Sequence, residues 1–311
     1  MIGVLDIGGT KIAAGVAGEA GRIVARREAP TAGVRADGAV GMALLQELLA
    51  ACIREAGCAI EGIGVSCTGP VDPFTGWLGN VDFLPGWAGR NLVQELAGAF
   101  GVRVAVENDA DAGALAEAAW GAGRGAGRLL YCTVSTGIGG GFVVDGALYR
   151  GARGAHPEIG HHVVEAGGPP CSCGARGCWE ALAAGPALAA WYRAQAGDGC
   201  PEDCDARRVC EMAAAGDAAA ARAVEREAVY LGLGFANLIN LLAPDTIALG
   251  GGVMRSWSLF EERCRATVRA HCVYVAAENT RITLAALGAE TGLAGAACVW
   301  LNRYRHDPPS R

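Results

Sequence analysis

Apolar runs and turns alternate over the first thirty residues. The runs IGVLDIG, TKIAAGVAG and RIVARREA are separated by glycine-containing turns, which predicts a meander of three strands. Residues 36–57 change to the apolar spacing of a helix, which ends at Gly57. The buried strand IEGIGVSCTGP, a helix over 91–100 and the strand VRVAVEND follow. Strands alternating with helices indicate a mainly parallel sheet with helices on its faces.

The opening pattern returns at Arg128. RLLYCTVSTGIGGG reads as a strand into a glycine turn, and FVVDGALYRG as a hairpin on Asp145-Gly146, so the chain has two similarly built halves. The segment LINLLAPDTIALGGGVM predicts a helix end, a turn, a buried strand and a glycine loop. Residues 181–195 and 205–240 are predicted to be largely helical, and two more helices are predicted over 258–272 and 289–304. The tail 305–311 is expected to be loose.

Two α/β domains follow from this pattern. The smaller comprises residues 1–109, with the C-terminal segment 289–311 packing back on it, and the larger comprises 110–288. A chain of 311 residues is long enough for both.

Composition indicates what kind of ligand the protein binds and in which cellular compartment it is located. The net charge of −6 and the pI near 5.5 give no basic surface for nucleic acid, so a small-molecule ligand is expected. Thirteen cysteines, an odd number scattered through apolar runs of a long chain, do not fit a secreted disulfide scaffold. The N-terminus reads as a strand, and no apolar run reaches membrane-spanning length. The cytoplasm is the predicted location, with no membrane partner.

A glycine-rich segment, 154–180, carries the strongest chemical signal. Cys171, Cys173 and Cys178 form the pattern C-x-C-x4-C, and His161 lies ten residues upstream. Three thiolates and one imidazole complete the tetrahedral shell of a structural zinc ion, with no position left for water. The alternative is that these are buried thiols acting as small apolar residues, which so polar a loop disfavours.

Two glycine turns at strand ends suggest phosphate binding. In Asp6-Ile-Gly-Gly-Thr-Lys11, Gly8 and Gly9 would let backbone amides approach an anion, with Thr10 and Lys11 adding a hydroxyl and a charge. Neither a Walker P-loop nor a Rossmann fingerprint is present. In the second half, Thr136 and Gly137 belong to a similar turn, and Gly251 and Gly252 would receive a flat base. The alternatives are an ordinary turn of a meander and a helix entry.

Acidic side chains supply candidate chemistry. Asp109, at a strand end beside Asn108, would take a proton from a substrate hydroxyl in phosphoryl transfer. Alternatively, Asn108 and Asp109 only cap the following helix. Glu158, His161 and Glu180 flank the cysteine cluster and would accept hydrogen bonds from sugar hydroxyls, or else they are solvated loop residues.

Together, DIGGTK, END, STGIGGG, EIGH and C-x-C-G-x-x-G-C-x-E resemble the ROK family of bacterial sugar kinases and sugar-responsive repressors. The resemblance spans most of the chain. It implies the two-domain actin-like ATPase fold, which is ribonuclease H-like, here with an inserted zinc loop. It also implies ATP with Mg²⁺, phosphorylation of a sugar hydroxyl, and a homodimer or homotetramer.

The resemblance also implies roles for individual residues. Asp109 would be the catalytic base, and Asp6 would help to hold magnesium. The sugar would be bound by Asn108, Asp109, Glu158, His161 and Glu180. The phosphates would be bound by Gly8, Gly9, Thr10, Lys11, Thr136 and Gly137.

Substrate identity is the least determined point. The cysteine cluster and the sequence LPGW at 84–87 resemble the glucokinase branch, which implies glucose as the acceptor, whereas HPEIGH is closer to the family's fructokinases. Kinases of N-acetylmannosamine or N-acetylglucosamine are further alternatives. A ROK-type repressor is disfavoured, because those proteins carry a helix-turn-helix ahead of the DIGGT region and this sequence starts at the first strand. A zinc-structured scaffold without catalysis would differ by lacking ATP turnover.

Overall fold

The computed structural model describes residues 1–80, 83–197 and 204–304, so the predicted loose tail lies outside the described residues. The chain divides into two units. The first comprises Met1–Gly125, Gly146–Leu148 and Ala286–Arg311, and the second comprises Ala126–Asp145 and Tyr149–Ala285. The sequence predicts that the smaller domain ends at residue 109, whereas in the structure the helix that starts there belongs to the first unit.

The first sheet is built from the N-terminal meander and two later strands. Its order is β3-β2-β1-β4-β5, with antiparallel pairing from β3 to β1 and parallel pairing from β1 to β5. The strands are β1 (Ile2–Ile7), β2 (Lys11–Ala17), β3 (Ile23–Pro30), β4 (Gly62–Cys67) and β5 (Arg103–Asn108). Asp6, Cys67 and Asn108 therefore lie at neighbouring carboxyl ends of parallel strands, where α/β proteins place ligands.

Helices cover this sheet. They are α1 (Gly38–Ala56), α2 (Leu92–Phe100), α3 (Asp109–Trp120) and α9 (Thr291–Tyr304). Helix α1 begins where Asp37 accepts hydrogen bonds from the amides of Ala39 and Val40. Helix α9 packs on β1, β4 and α3. A Cβ atom at Gly64 would lie 1.7 Å from the oxygen of Ala296, so β4 and α9 meet backbone to backbone.

The second sheet repeats the topology of the first. Its order is β10-β9-β6-β7-β8. Read from β8 to β10, these strands occupy the positions that β3 to β5 occupy in the first sheet. The strands are β6 (Arg128–Val134), β7 (Ile138–Val144), β8 (Ala147–Leu148), β9 (Thr246–Gly250) and β10 (Arg281–Leu284). The predicted hairpin turn is present, with φ of 50° at Asp145 and 81° at Gly146. Strand β10 is absent from the sequence prediction.

The helices of the second unit enclose its largest apolar cluster, which includes Trp179, Phe235 and Phe260. They are α4 (Trp179–Ala183), α5 (Gly185–Ala196), α6 (Ala206–Ala214), α7 (Ala218–Leu242) and α8 (Trp257–His271). The segment 205–240, predicted to be largely helical, contains α6 and most of α7. The two helices are separated where Gly216 takes a φ of 93° and Asp217 caps α7. Among the described helices, none combines the length and apolar character needed to cross a membrane.

Candidate active site

The four predicted zinc ligands come together. One potential ligand atom from each of His161, Cys171, Cys173 and Cys178 lies within 4.8 Å of the others. The Sγ atoms of Cys173 and Cys178 are 3.7 Å apart, and Cys171 Sγ is 3.5 Å from His161 Nδ1. Zinc–sulfur bonds of about 2.3 Å at tetrahedral angles require sulfur–sulfur separations of about 3.8 Å. The cluster therefore has the donor set and the spacing that a closed zinc shell needs.

Two thiols of the cluster have shifted pKa values. Burial, followed by the neighbouring thiols, raises the pKa of Cys178 to about 12. The backbone amide of Ala175 is the main cause that lowers the pKa of Cys173. A divalent cation would favour the thiolate form of these residues and offset the repulsion between neighbouring thiolates.

Glu180 joins the cysteine cluster to the second glycine turn. It lies in the first turn of α4, two residues after Cys178, and its Oε2 accepts a hydrogen bond of 2.9 Å from the amide of Ile138. A Cβ atom at Gly137 would lie 2.5 Å from the same oxygen. Its other oxygen, Oε1, is 3.5 Å from Ser172 Oγ. One carboxylate thus touches both the cysteine-containing loop and the turn predicted to bind phosphate.

Trp179 anchors the helix that carries Glu180. Its indole is fully buried, donates from Nε1 to the oxygen of Tyr230 at 2.8 Å, and packs edge-on against Phe235. This anchoring fixes α4 on α7. Trp179 was not among the predicted site residues, although a tryptophan between a clustered cysteine and an acid is a signal in the sequence.

Glu158 immediately precedes the short 3-10 turn Ile159–His161. Its Oε1 lies 3.1 Å from His156 Nε2, and this hydrogen bond is the main cause that lowers the pKa of the Glu158 carboxyl. A Cβ atom at Gly160 would lie 2.0 Å from the oxygen of Ile138, so the turn packs directly on β7. Glu158, His161 and Glu180 therefore belong to one region of the second unit.

A cavity of about 750 Å³ lies beside Thr136 in the second unit. This volume suits a small organic ligand. Its lining includes Thr136 and Gly252, which the sequence suggested as nucleotide contacts, and residues that the sequence did not indicate: Pro186, Arg193, Cys210 and Arg255. Gly251 has a φ of 91° and approaches the backbone of Val134, so it shapes the loop that follows β9.

In the first unit, Asp6 is a half-buried acid. Burial raises the pKa of Asp6, while the hydrogen bond from Ser66 and the charge of Lys11 oppose the shift. The Ser66 hydroxyl donates to Asp6 Oδ1 at 2.9 Å. Burial also raises the pKa of Cys67 strongly, and the carboxylates of Asp109 and Asp6 add to that shift. Ser66 and Cys67 were not among the predicted site residues.

Asn108 and Asp109 both contact the start of α3. Asn108 Oδ1 and Asp109 Oδ1 each accept a hydrogen bond of 2.9 Å from the amide of Ala110. The capping contact considered from the sequence is therefore present. It engages one oxygen of Asp109 and is compatible with a further role for that carboxylate.

The first glycine turn is closed by its own backbone. The amide of Gly8 donates to the oxygen of Lys11 at 2.9 Å, and the oxygen of Thr10 accepts from the amide of Thr31 at 3.0 Å. The Lys11 ammonium pairs with Glu28 at 2.9 Å. A Cβ atom at Gly9 would lie 2.9 Å from the Cβ of Phe83. Gly8 therefore shapes the turn, and Gly9 lies against an aromatic side chain.

Comparison with known proteins identifies the family. The model of the ROK family matches residues 2–303. The chain belongs to the ROK family. Within that family it is 31% identical to the glucokinase of Thermotoga maritima, over 96% of each chain. The ROK resemblance of the sequence motifs is thereby confirmed.

Solved ROK structures share the fold. The ROK hexokinase of Thermus thermophilus is 38% identical, with a TM-score of 0.83 over 98% of this chain and 99% of that one. A ROK glucokinase of Streptomyces griseus, in complex with glucose and AMPPNP, is 31% identical, with a TM-score of 0.79 over 94% and 96%. These matches confirm the predicted actin-like ATPase fold.

Proposed function

We propose that this protein transfers the γ-phosphoryl group of ATP to a hexose hydroxyl, with glucose as the acceptor and glucose 6-phosphate as the product. The observation that carries the proposal is the position of Glu180. Its carboxylate contacts the amide of Ile138, directly after the glycine turn, and lies two residues beyond a ligand of the cysteine cluster. A sugar-binding acid and a phosphate-binding turn are thus joined by one side chain. The ROK relatives named glucokinases support the same reaction.

In this mechanism Asp109 is the general base. The acceptor oxygen attacks the γ-phosphorus, its proton passes to the Asp109 carboxylate, and the bond from that phosphorus to the β–γ bridging oxygen breaks to release ADP. Asn108, Glu158, His161 and Glu180 bind the sugar hydroxyls. The helix-capping contact of Asp109 to Ala110 supports this role, because it restrains the carboxylate at the start of α3.

The nucleotide is bound by both glycine turns. Gly8, Gly9, Thr10, Lys11, Thr136 and Gly137 hold its phosphates, and Gly251 and Gly252 adjoin its base. The cavity beside Thr136 and Gly252 supports the contacts proposed for the second unit.

Two metal ions belong to this proposal. Asp6 would supply oxygen ligands of the kind that Mg²⁺ prefers, and this ion would offset the negative charge of the phosphates. His161, Cys171, Cys173 and Cys178 would hold Zn²⁺ in a structural role, because four protein ligands would leave no open position.

Asp109→Asn in a coupled ADP-release assay tests the mechanism. We expect turnover to fall by about 10²–10⁴-fold, because the amide keeps the shape of the side chain and removes the base. Sugar affinity, measured by calorimetry, stays near the wild-type value. Turnover within a factor of a few of wild type would leave Asp109 with the capping role alone.

The acceptor is tested with a panel of glucose, mannose, fructose, N-acetylglucosamine and N-acetylmannosamine. We expect the highest kcat/KM with glucose. A preference for fructose or an N-acetylated sugar would replace glucose by one of the alternatives within the family. No ADP release with any of the five would favour a repressor or a scaffold.

We also infer a cytoplasmic homodimer or homotetramer. The free thiols of the described cysteines support a reducing compartment. Light scattering coupled to size-exclusion chromatography tests the assembly, and a monomer would contradict it.

A further inference from the structure

The carboxylate of Asp6 is held from the neighbouring strand by Ser66. Backbone register places Asp6 opposite Ser66 in the parallel pair β1–β4. Ser66 is completely buried, and its Oγ donates to Asp6 Oδ1 at 2.9 Å. A buried hydroxyl beside a carboxylate has few other acceptors, so this contact restrains the rotation of the carboxylate.

The carboxylate is enclosed on another side by the start of α9. A Cβ atom at Gly292 would lie 2.2 Å from Asp6 Oδ2 and 2.7 Å from Oδ1. No side chain larger than glycine fits there unless Asp6 or the helix moves. Gly292 is the second residue of a helix of 14 residues, so the positive end of the helix dipole also faces the carboxylate.

Other charged groups leave the orientation of Asp6 to these two residues. The Lys11 ammonium and the Arg26 guanidinium, whose charges act on Asp6, are both engaged by Glu28. Among hydrogen bonds between described residues, Ser66 is the side-chain partner of the Asp6 carboxylate. The hydroxyl of Ser66 and the bare backbone of Gly292 therefore determine its position.

We propose that Ser66 and Gly292 are positioning residues that hold the Asp6 carboxylate in the orientation required for binding the magnesium–nucleotide complex. This inference rests on the proposed function, because that function supplies the role of Asp6. It adds a requirement for the hydroxyl at 66 and for glycine at 292. The two residues act through Asp6 and do not themselves contact the substrates.

A double-mutant cycle in the full 311-residue protein tests this. The variants are Ser66→Ala, Asp6→Asn, their combination, and Gly292→Ala. Gly98→Ala is the matched control, because a Cβ atom at Gly98 meets nothing within 4 Å. Thermal unfolding of each variant verifies that it folds.

Calorimetric titration with AMPPNP, in Mg²⁺ and in EDTA, is the readout independent of turnover. We expect Ser66→Ala and Gly292→Ala to lose about tenfold to a hundredfold of the affinity gained with Mg²⁺, the scale of a hydrogen bond to a charged group. Affinity in EDTA and the KM for sugar stay within twofold. Ser66→Ala has no further effect in the Asp6→Asn background.

Equal effects of Ser66→Ala in the wild-type and Asp6→Asn backgrounds would overturn the proposal, since the hydroxyl would then not act through Asp6. An unchanged Mg²⁺-dependent affinity for AMPPNP in Ser66→Ala would also overturn it. If Gly292→Ala does not fold, the result for Ser66→Ala alone decides. A wild-type protein that phosphorylates no sugar refutes the proposed function alone. In that case, the positioning role is still supported if Ser66→Ala loses the gain in AMPPNP affinity that Mg²⁺ gives the wild-type protein. It is overturned if Mg²⁺ gives the wild-type protein no such gain.

Discussion

His156 Nε2 lies 3.1 Å from Glu158 Oε1, and the histidine is the more buried partner, with 19% of its side chain exposed against 64% for the glutamate. The hydrogen bond is the main cause of the lowered pKa of Glu158. A largely buried imidazole therefore holds an exposed carboxylate ionised and oriented. This relationship gives His156 a function that its sequence motif did not indicate.

His156→Ala is expected to raise the KM for sugar by about three- to tenfold, the scale of one hydrogen bond, because Glu158 loses its orienting partner. The KM for ATP stays nearly constant. Initial-rate kinetics with each substrate varied separately measure both. His271→Ala, which removes an exposed imidazole at the end of α8, is the control. A sugar KM unaffected by His156→Ala would contradict the assignment.

The cysteine cluster predicts about one zinc ion per chain in the purified protein. Cys173→Ser is expected to lose the ion together with sugar affinity, because the same loop carries Glu158 before His161 and Glu180 after Cys178. Elemental analysis and calorimetry with glucose measure the two effects, and nucleotide affinity should change much less. Cys58→Ser, a thiol outside the cluster, should keep both metal and activity. Protein free of zinc with normal sugar affinity would refute the link.

Gly9→Ala is expected to raise the KM for ATP and to leave that for sugar nearly unchanged, because the added methyl group hinders close approach of phosphate to the turn. Its Cβ would also lie 2.9 Å from the Cβ of Phe83, so displacement of the aromatic ring is an alternative cause. Combining Gly9→Ala with Phe83→Ala separates the two. We expect no recovery in the double variant. Full recovery of the ATP KM would show that the glycine serves Phe83 and not the phosphate.

Glu227 gives the stability of the second unit a pH dependence. It is completely buried on α7, and neither carboxylate oxygen has a hydrogen-bond partner among the described residues. Burial raises its pKa well above the usual 4.5, with Arg226 opposing the shift. The folded state therefore retains a proton that the unfolded state releases. The stabilisation is complete below pH about 4.5 and is lost as pH rises through the folded-state pKa.

Glu227→Met should accordingly raise the unfolding temperature by a few degrees at pH 8 and by less at pH 5. Scanning fluorimetry across this range measures the difference. Glu225→Met, at an exposed neighbour that pairs with Arg263, is the control and should change little at either pH. A gain in unfolding temperature of equal size at both pH values would contradict the protonated state of Glu227.

Local patterns were sufficient for much of the fold. The turn at Asp145-Gly146 was predicted correctly because both residues tolerate the positive φ that a tight hairpin requires. Strand β10 was missed, since four residues carry too little periodicity and the strand forms by pairing with β9. The break between α6 and α7 was missed because alanines on both sides of Gly216 continue a helical pattern.

The clustering of His161 with the three cysteines and the acids at strand ends could be predicted from residue types and spacing, because those signals lie within short segments. The partners of these acids were not. Ser66 meets Asp6 across 60 residues, and Ile138 meets Glu180 across 42. Such contacts depend on strand register and on helix packing, which bring distant segments together and leave no periodic trace in the chain. Hence the acids could be named from local motifs, whereas the groups that orient them were established by packing.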